Sequence, residues 1–271
     1  MRLFSQLACR KAADSVSVTT SGGSTFTAYT GGSTTTVVVS NGAATLNAFL
    51  PINTFTTNVT FSVQAVAGTN AAAVAGTAPD GSLTGVTPVV QYQFALAIPT
   101  LSRDATLTFD IALEPTNRAA FLAALNSGTA TVAVQGDAPG SLWQTFPICG
   151  ASESPDTGGC VSLLLFDGAG VPLPPGSTNA PAVARFTGLA AHFSKWGVVL
   201  AQPVRVGTAL LGGGTLRLMW PAVGTTTLET STNLAPNSWS SASAPTQQPD
   251  GSWRLDVAPS EPARFYWLKG Q

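Results

Sequence analysis

Apolar and polar side chains alternate along most of this chain, with the period of two residues that turns one face of a strand toward a core. The alternation occurs on both sides of Phe193-Ser194, so Ala184–Ala201 is predicted to form a strand, a tight turn and a second strand. Val89–Pro99 and Ala105–Glu114 alternate as strongly and are predicted to pair with each other. Further strands are predicted at Thr45–Pro51, Asn58–Ala67, Thr129–Val134, Leu142–Ile148 and Cys160–Phe166.

One segment departs from this alternation. Within Pro115–Gly128, Phe121, Leu122 and Leu125 fall at helical spacing. Thr116 or Asn117 can cap the first turn. A glycine follows the last turn, as is common at the end of a helix. The pattern predicts one short helix in a chain of strands.

Glycine-rich and polar stretches divide the chain into predicted parts. Residues 1–40 form a Thr/Ser/Gly-rich N-terminal segment whose short β-branched runs fit either strands or a loosely ordered stalk. Residues 41–206 are predicted to form a β-sandwich, although Gly68–Pro88 has the composition of a long connection. Residues 207–214 are predicted to be a Gly-rich linker, and residues 215–271 a small C-terminal β module. The predicted fold class is all-β, a large β-sandwich with one short helix plus a second, smaller β module.

Four strands are predicted in the small module, each with apolar residues at alternate positions. Leu218 and Trp220 share one face of the first strand, and Trp253 and Leu255 share one face of the third. This alternation with polar neighbours is typical of core residues, so Trp220 and Trp253 are predicted to be buried.

The composition of the chain is unusual because charged residues are scarce. Only 9% of the 271 residues are charged, the net charge is −1, and 44% are hydrophobic. Ordinary soluble domains have about 25% charged residues, so hydroxyl groups must supply much of the surface polarity here. Without a basic surplus to neutralise phosphates, nucleic acid is not an expected partner.

The sequence also bears on location. No window has the roughly 18 consecutive apolar residues of a membrane-spanning helix, so membrane insertion is not expected. Met1–Cys9 is shorter than the apolar part of a secretory signal and fits a lipoprotein cleavage box poorly, so no export signal is readable. Because the composition is nevertheless that of a secreted protein, we expect a fragment of a longer protein, located extracellularly or at the cell surface.

His192-Phe193-Ser194, between two strands, resembles the end of β-sandwich modules in large bacterial secreted and cell-surface proteins. The strand with Tyr92–Phe94, followed by the strand Ala105–Asp110, is similar to the same modules, which are distantly like ZU5 domains. The resemblance covers roughly residues 41–201. It implies a β-sandwich fold and a place in a surface or secreted protein.

The last module has a resemblance of its own. Four motifs resemble the sequence pattern of C-terminal modules in secreted proteins of environmental bacteria. They are Trp220-Pro221, Thr232-Asn233-Leu234, Trp239 and Arg264-Phe265-Tyr266. Those modules are mostly accessory parts. The resemblance therefore implies a setting outside the cell and no particular activity.

Catalytic and metal chemistry is not indicated. The one histidine, His192, would have to serve any Ser/His/Asp arrangement, and no Gly-x-Ser-x-Gly elbow occurs. Asp104 and Asp110 lie about 20 Å apart along one strand at ~3.3 Å per residue, too far for paired glycosidase carboxylates. The cysteines and histidine lack zinc-site spacing, and no EF-type calcium loop occurs. We therefore expect no enzyme activity, no cofactor and no metal.

Tryptophan is the candidate ligand-binding residue type, because the C–H faces of sugars stack on exposed flat rings. Trp239, between two serines in a predicted loop, is the first candidate, followed by Trp143, and Trp267 in the last strand is the third. A flat sugar-binding surface would require these three rings to be exposed and coplanar on one face.

Cys149 and Cys160 flank GASESPDTGG, a polar loop with almost nothing apolar to pack it. Leu142–Ile148 and Cys160–Phe166 are predicted hairpin partners, which would bring the two Cβ atoms toward the ~3.8 Å of a disulfide. The alternative is two buried free thiols, as cytosolic chains often have. A disulfide would indicate an oxidising compartment, with Cys9 unpaired in either case.

Two functions follow from these observations. The first is a non-catalytic extracellular or cell-surface β module that serves adhesion, spacing or display, as the C-terminal part of a longer secreted protein. The alternative is a carbohydrate-binding accessory region of a secreted polysaccharide-active enzyme. The expected partners are accordingly an extracellular polysaccharide or a surface protein.

Overall fold

A computed structural model describes most of the chain as strand. Its described residues form twenty strands, one α-helix and one short 3-10 turn, which confirms the predicted all-β fold with one short helix. The described residues are 14–18, 24–28, 34–56, 59–66, 74–78, 83–95, 101–136, 138, 141–155, 159–221, 226–249, 252–258 and 264–270.

The elements are numbered in chain order. Up to residue 203 they are β1 (Asp14–Val18), β2 (Ser24–Ala28), β3 (Thr35–Asn41), β4 (Ala44–Leu50), β5 (Val59–Val66), β6 (Val74–Thr77), β7 (Leu83–Ala95), β8 (Ala105–Ala112), α1 (Arg118–Asn126), β9 (Ala130–Gln135), β10 (Trp143–Thr145), β11 (Ser162–Phe166), β12 (Val183–Ala190) and β13 (Lys195–Pro203). The remaining elements are β14 (Gly207–Leu210), the 3-10 turn Gly212–Gly214, β15 (Leu216–Trp220), β16 (Thr226–Ser231), β17 (Ser240–Ser241), β18 (Thr246–Gln247), β19 (Trp253–Val257) and β20 (Phe265–Gly270).

The chain divides into two compact units. The first contains Met1–Ala67, Val90–Phe121 and Ile148–Trp196, and the second contains Gly68–Val89, Leu122–Pro147 and Gly197–Gln271. The divisions at residues 89, 121 and 196 fall inside β7, α1 and β13, so each of these elements contributes to both units. The predicted division into parts ending at residues 40, 206 and 214 stays a prediction.

The first unit contains a six-stranded sheet and part of a second sheet. The strand order is β1-β3-β4-β8-β12-β11 in the first sheet. The second sheet has the order β13-β9-β10-β6-β7-β5-β2 and contributes β2, β5 and the second half of β7 to this unit. Every second residue of β4, β8 and β12 is buried, as the alternation predicts. The largest fully buried side chains of this unit are Tyr92, Phe61, Phe94, Phe109, Phe186, Leu46, Leu50 and Leu107.

The two strongest predicted strands, Val89–Pro99 and Ala105–Glu114, do not pair, so that prediction is wrong. β7 pairs with β5 and β6, whereas β8 lies between β4 and β12 in the other sheet. Their buried faces nevertheless meet, because the rings of Tyr92 and Phe109 have centroids 6.0 Å apart. A two-residue period indicates which face of a strand is buried. The period is the same whether the next strand of the chain lies beside it in the same sheet or faces it from the other sheet.

The predicted final hairpin in Ala184–Ala201 is also wrong. β12 joins the six-stranded sheet and β13 the seven-stranded one, so His192-Phe193-Ser194 is a corner between sheets. Phe193 is buried and stacks on Phe94 with centroids 4.4 Å apart. The amide of Phe94 donates to the Ser194 carbonyl at 3.0 Å. The tripeptide therefore anchors the corner in the core of the first unit.

The helix α1 follows its sequence signals. The amide of Phe121 donates to the carbonyl of Asn117 at 3.0 Å, which forms the first turn. Gly128 ends the helix with φ of +70°, a left-handed conformation that favours glycine. Phe121 is buried and meets the ring of Phe186 edge-on. Phe121, one of the residues at helical spacing, is the buried side chain of this helix.

The N-terminal segment forms strands where it is described. β1 pairs with β3 in parallel, and β2 pairs with β5 in antiparallel orientation. Of the two alternatives for residues 1–40, the structure therefore shows strands at 14–18, 24–28 and 35–41. Cys9 lies outside the described residues.

In the second unit, Gly68–Pro88 is more than a connection, because it contains β6 and the start of β7. Gly76 of β6 lies opposite Trp143 of β10 in parallel register. A Cβ atom at Gly76 would lie 2.5 Å from Cγ2 of Val86 and 2.8 Å from the carbonyl oxygen of Trp143. Glycine is thus required here by close approach of the neighbouring strands.

The last part of the second unit contains two small sheets, with strand orders β14-β15-β19-β18 and β17-β16-β20. The predicted faces are confirmed, because Trp220 and Leu255 are buried in one cluster with Trp253 packed against it. The range 207–214, predicted as a linker, contains β14, which pairs with β15, and the 3-10 turn. The buried residues of the cluster are Leu218, Trp220, Leu228, Leu255 and Leu268.

Candidate ligand-binding face

The outer face of the three-stranded sheet presents the largest exposed aromatic ring among the described residues. Trp267 lies in β20 and is 52% exposed. Its neighbours Tyr266 and Leu268 turn to the opposite side, where Leu268 is buried in the apolar cluster and Tyr266 packs against it. A regular strand therefore fixes the Trp267 ring on the solvent side, on the same face as Phe265 and Lys269.

Trp239 lies against Trp267. The two ring centroids are 5.8 Å apart and the planes are inclined at 74°, an edge-to-face arrangement. Trp239 is half-buried and directly precedes β17, the strand that pairs with β16. The fold thus brings together two candidate residues that are 28 residues apart in the chain. Their rings form a corner and not a coplanar surface.

The loop that leads to Trp239 is held by side-chain hydrogen bonds. The amide of Ala235 donates to Oδ1 of Asn233 at 2.9 Å, and the amide of Asn233 donates to Oγ of Ser231 at 3.1 Å. Oγ of Ser238 lies 2.6 Å from Oγ of Ser231. Asn and Ser bond to nearby backbone amides in such turns, which gives the Thr-Asn-Leu motif a structural role. The loop thereby positions Trp239.

Polar side chains lie next to the rings, and the sequence reasoning missed them. Glu229 of β16 is directly opposite Trp267 in the register, and Thr227 is opposite Lys269. Nζ of Lys269 donates to Oε1 of Glu229 at 3.3 Å, and Lys269 is the more exposed of the two. Ser241 of β17 is opposite Glu229 on its other side. We call the set Trp239, Trp267, Glu229 and Lys269 the aromatic corner.

Trp143, the second sequence candidate, is not part of this face, and its assignment as a ligand-binding residue is corrected. Its side chain is 2% exposed and packs with Val86, Ala133 and Val199 in the second unit. A ring enclosed in this way has no face left for a ligand. The sequence places Trp143 in the predicted strand Leu142–Ile148, but it does not show that this strand pairs on both sides.

His192 makes contacts within its own corner. Its Nδ1 lies 3.3 Å from Oγ of the buried Ser194, and its ring centroid lies 6.1 Å from that of Trp196. Both partners are within four residues of His192 in the chain. These contacts orient the imidazole at the surface of the corner.

Cys149 and Cys160 are at disulfide distance, with Sγ atoms 2.08 Å and Cα atoms 4.9 Å apart. The predicted hairpin is wrong, because β10 pairs with β6 and β9 while β11 pairs with β12. The cysteines approach instead through one parallel bridge between Ile148 and Val161, where the amide of Cys149 donates to the Val161 carbonyl at 2.9 Å. The sequence thus predicted the cysteine pair that lies at disulfide distance, but it did so from a hairpin that does not form.

The outer face of the four-stranded sheet has a charged cluster. Arg217 makes two hydrogen bonds to the carboxylate of Asp256, at 2.8 and 2.9 Å, and Arg254 bonds to the same carboxylate. The hydrogen bond from Arg217, followed by that from Arg254, holds the pKa of Asp256 well below its usual range. The single carboxylate therefore stays ionised between two guanidinium groups.

Two features of the described residues concern metal binding and membrane insertion. No group of three or more His, Cys, Asp or Glu side chains lies close enough together there to bind a metal ion. None of the described helical residues forms a helix long and apolar enough to cross a membrane.

The chain was compared with families and individual proteins of known function. Neither a family model nor a curated protein matches the chain.

Proposed function

We propose that this chain is a non-catalytic β module that acts outside the cell or on its surface, in adhesion, spacing or display. The observation that supports this most is the pair Cys149 and Cys160 at disulfide distance. Disulfides persist in oxidising compartments and are rare in the cytosol. A bond across this loop favours an extracellular setting.

Two further observations agree with this role. Charged residues are only 9% of the chain, so its surface depends on Ser and Thr hydroxyls. Most of its described residues are in sheets with well-buried faces, which suits a rigid spacer or display element.

Surface exposure tests this proposal directly. Intact cells of the source organism are treated with external protease, and the chain is followed with a specific antibody in cell, surface and medium fractions. The proposal predicts that the protein is in the medium, or is removed from intact cells by the protease. Protection until the cells are lysed, with recovery in the cytosolic fraction, would contradict it.

A second candidate is a polysaccharide-binding accessory region, and one observation favours it. Trp267 is held on a regular strand with half of its side chain in solvent, next to a second tryptophan. Aromatic side chains are enriched at interaction sites. The test is retention of the full chain by a panel of soluble and insoluble glycans, and the candidate fails if none of them retains it.

A further inference from the structure

We propose that the aromatic corner binds single, neutral polysaccharide chains and not crystalline polysaccharide surfaces. This inference deepens the second candidate and rests on it. The ligand chemistry follows from three features of the corner: the angle between the rings, the polar groups beside them, and their rigid support.

The angle between the rings determines the shape of the ligand. A flat crystalline surface gains most from several coplanar rings, each stacked on one sugar. Trp239 and Trp267 are inclined at 74°, so a flat surface can lie on only one of them. A single chain, in contrast, can stack one sugar on the exposed face of Trp267 and contact Trp239 with its edge.

The neighbouring polar groups favour a sugar over an apolar partner. Glu229 can accept hydrogen bonds from hydroxyl groups, and Lys269 can donate to them. Both are on the face of Trp267, where Glu229 is its direct cross-strand neighbour. A sugar offers a C–H face to the ring and hydroxyls at its edge, which matches this combination. The paired charges of Glu229 and Lys269 cancel, which favours a neutral sugar.

The support of the corner makes it suited to binding without rearrangement. Trp267 and Glu229 lie on paired strands whose opposite faces are packed, since Leu228 and Leu268 are buried in the apolar cluster. The loop before Trp239 is fixed by the hydrogen bonds of Asn233 and Ser238. Rigid aromatic side chains lose little conformational entropy on binding, so most of their contact energy contributes to affinity.

The experiment compares two kinds of glycan with the full chain. Affinity gel electrophoresis uses hydroxyethylcellulose, xylan, galactomannan and soluble starch, and sedimentation uses crystalline cellulose and crystalline chitin. The proposal predicts retardation by at least one soluble neutral glycan and no sedimentation with the crystalline ones. Trp267→Ala should weaken that binding by about tenfold or more, as loss of a central aromatic contact does. Trp239→Ala and Glu229→Gln should weaken it by a smaller factor.

Met219→Ala is the matched control, because Met219 is another exposed apolar side chain, on the four-stranded sheet. It should leave binding unchanged, and melting temperatures of all variants show whether they are folded. Sedimentation with crystalline glycan alone would overturn the single-chain inference and leave polysaccharide binding in place. Retardation that Trp267→Ala does not weaken would overturn the site. Binding to neither kind would overturn both this inference and the second candidate.

Discussion

The rings of Tyr92 and Phe109 meet between the two sheets of the first unit, with centroids 6.0 Å apart and planes inclined at 44°. Tyr92 is completely buried, and its hydroxyl has no hydrogen-bond partner among the described residues. Burial, followed by the nearby charge of Asp110, raises the pKa of this hydroxyl above its ordinary value. The phenol therefore remains protonated, and its desolvation opposes folding.

Tyr92→Phe is accordingly expected to stabilise the protein. It removes a hydroxyl whose burial without a partner costs about 1–3 kcal/mol and keeps the ring against Phe109. We expect the free energy of unfolding, measured with urea, to rise by about 1 kcal/mol. Tyr92→Leu, which also removes ring contacts, should instead lower it by about 1–3 kcal/mol. A loss of stability in Tyr92→Phe would show that the hydroxyl is bonded.

Gly76→Ala is expected to destabilise the second unit. The added Cβ would lie within 2.8 Å of Val86 and of the Trp143 backbone, and a backbone atom cannot move aside as a flexible side chain can. We expect a loss of about 1–3 kcal/mol in the free energy of unfolding. Gly168→Ala is the control, because nothing lies within 4 Å of a Cβ at that exposed turn. Equal stability of the two variants would refute the close approach.

Asp256 should contribute stability that depends on pH. Arg217 and Arg254 depress its pKa in the folded state, whereas an unfolded Asp titrates near ~3.9. The contribution is therefore fully present above the unfolded pKa and is lost as the pH falls through the folded pKa. Calorimetry should find Asp256→Asn less stable than the wild type at pH 6, with the difference narrowing below about pH 4. The same difference at every pH would contradict this account.

The disulfide should stabilise the first unit measurably. Closing a loop of this length contributes roughly 2–3 kcal/mol on the chain-entropy estimate. A Cys149→Ser, Cys160→Ser double variant should therefore melt several degrees lower than the wild type. Reductant should bring the wild type to the melting temperature of the variant and leave the variant unchanged. A wild type that melts at the same temperature with and without reductant would refute the contribution.

Much of the fold could be predicted because a two-residue period depends only on which side of a strand is buried. Phe109 in β8 and Trp220 in β15 are buried as the alternation indicates. Strand partners could not be predicted, since β7 and β8 have the same pattern whether they are neighbours or face each other. Trp143 shows a further limit, because the sequence of a strand as short as β10 does not indicate which of its side chains are enclosed by other strands.

The candidate site could be predicted only in part. Trp239 and Trp267 were identified by residue type, whereas their contact depends on β20 pairing with β16 and β16 with β17. Glu229 and Lys269 are 40 residues apart and become neighbours through the same register. The alternation of Trp267 and Lys269 around Leu268 is the one local signal that places both on the outer face.

The state of Cys149 and Cys160 in protein from the native source tests the central claim most directly. The protein is denatured in excess alkylating agent, digested without reduction and analysed by mass spectrometry, with a sample reduced before alkylation as the control for labelling of free thiols. The proposed extracellular role predicts one linked peptide pair that contains residues 149 and 160. Recovery of both residues as separately alkylated thiols would contradict the disulfide and, with it, the main support for a role outside the cell.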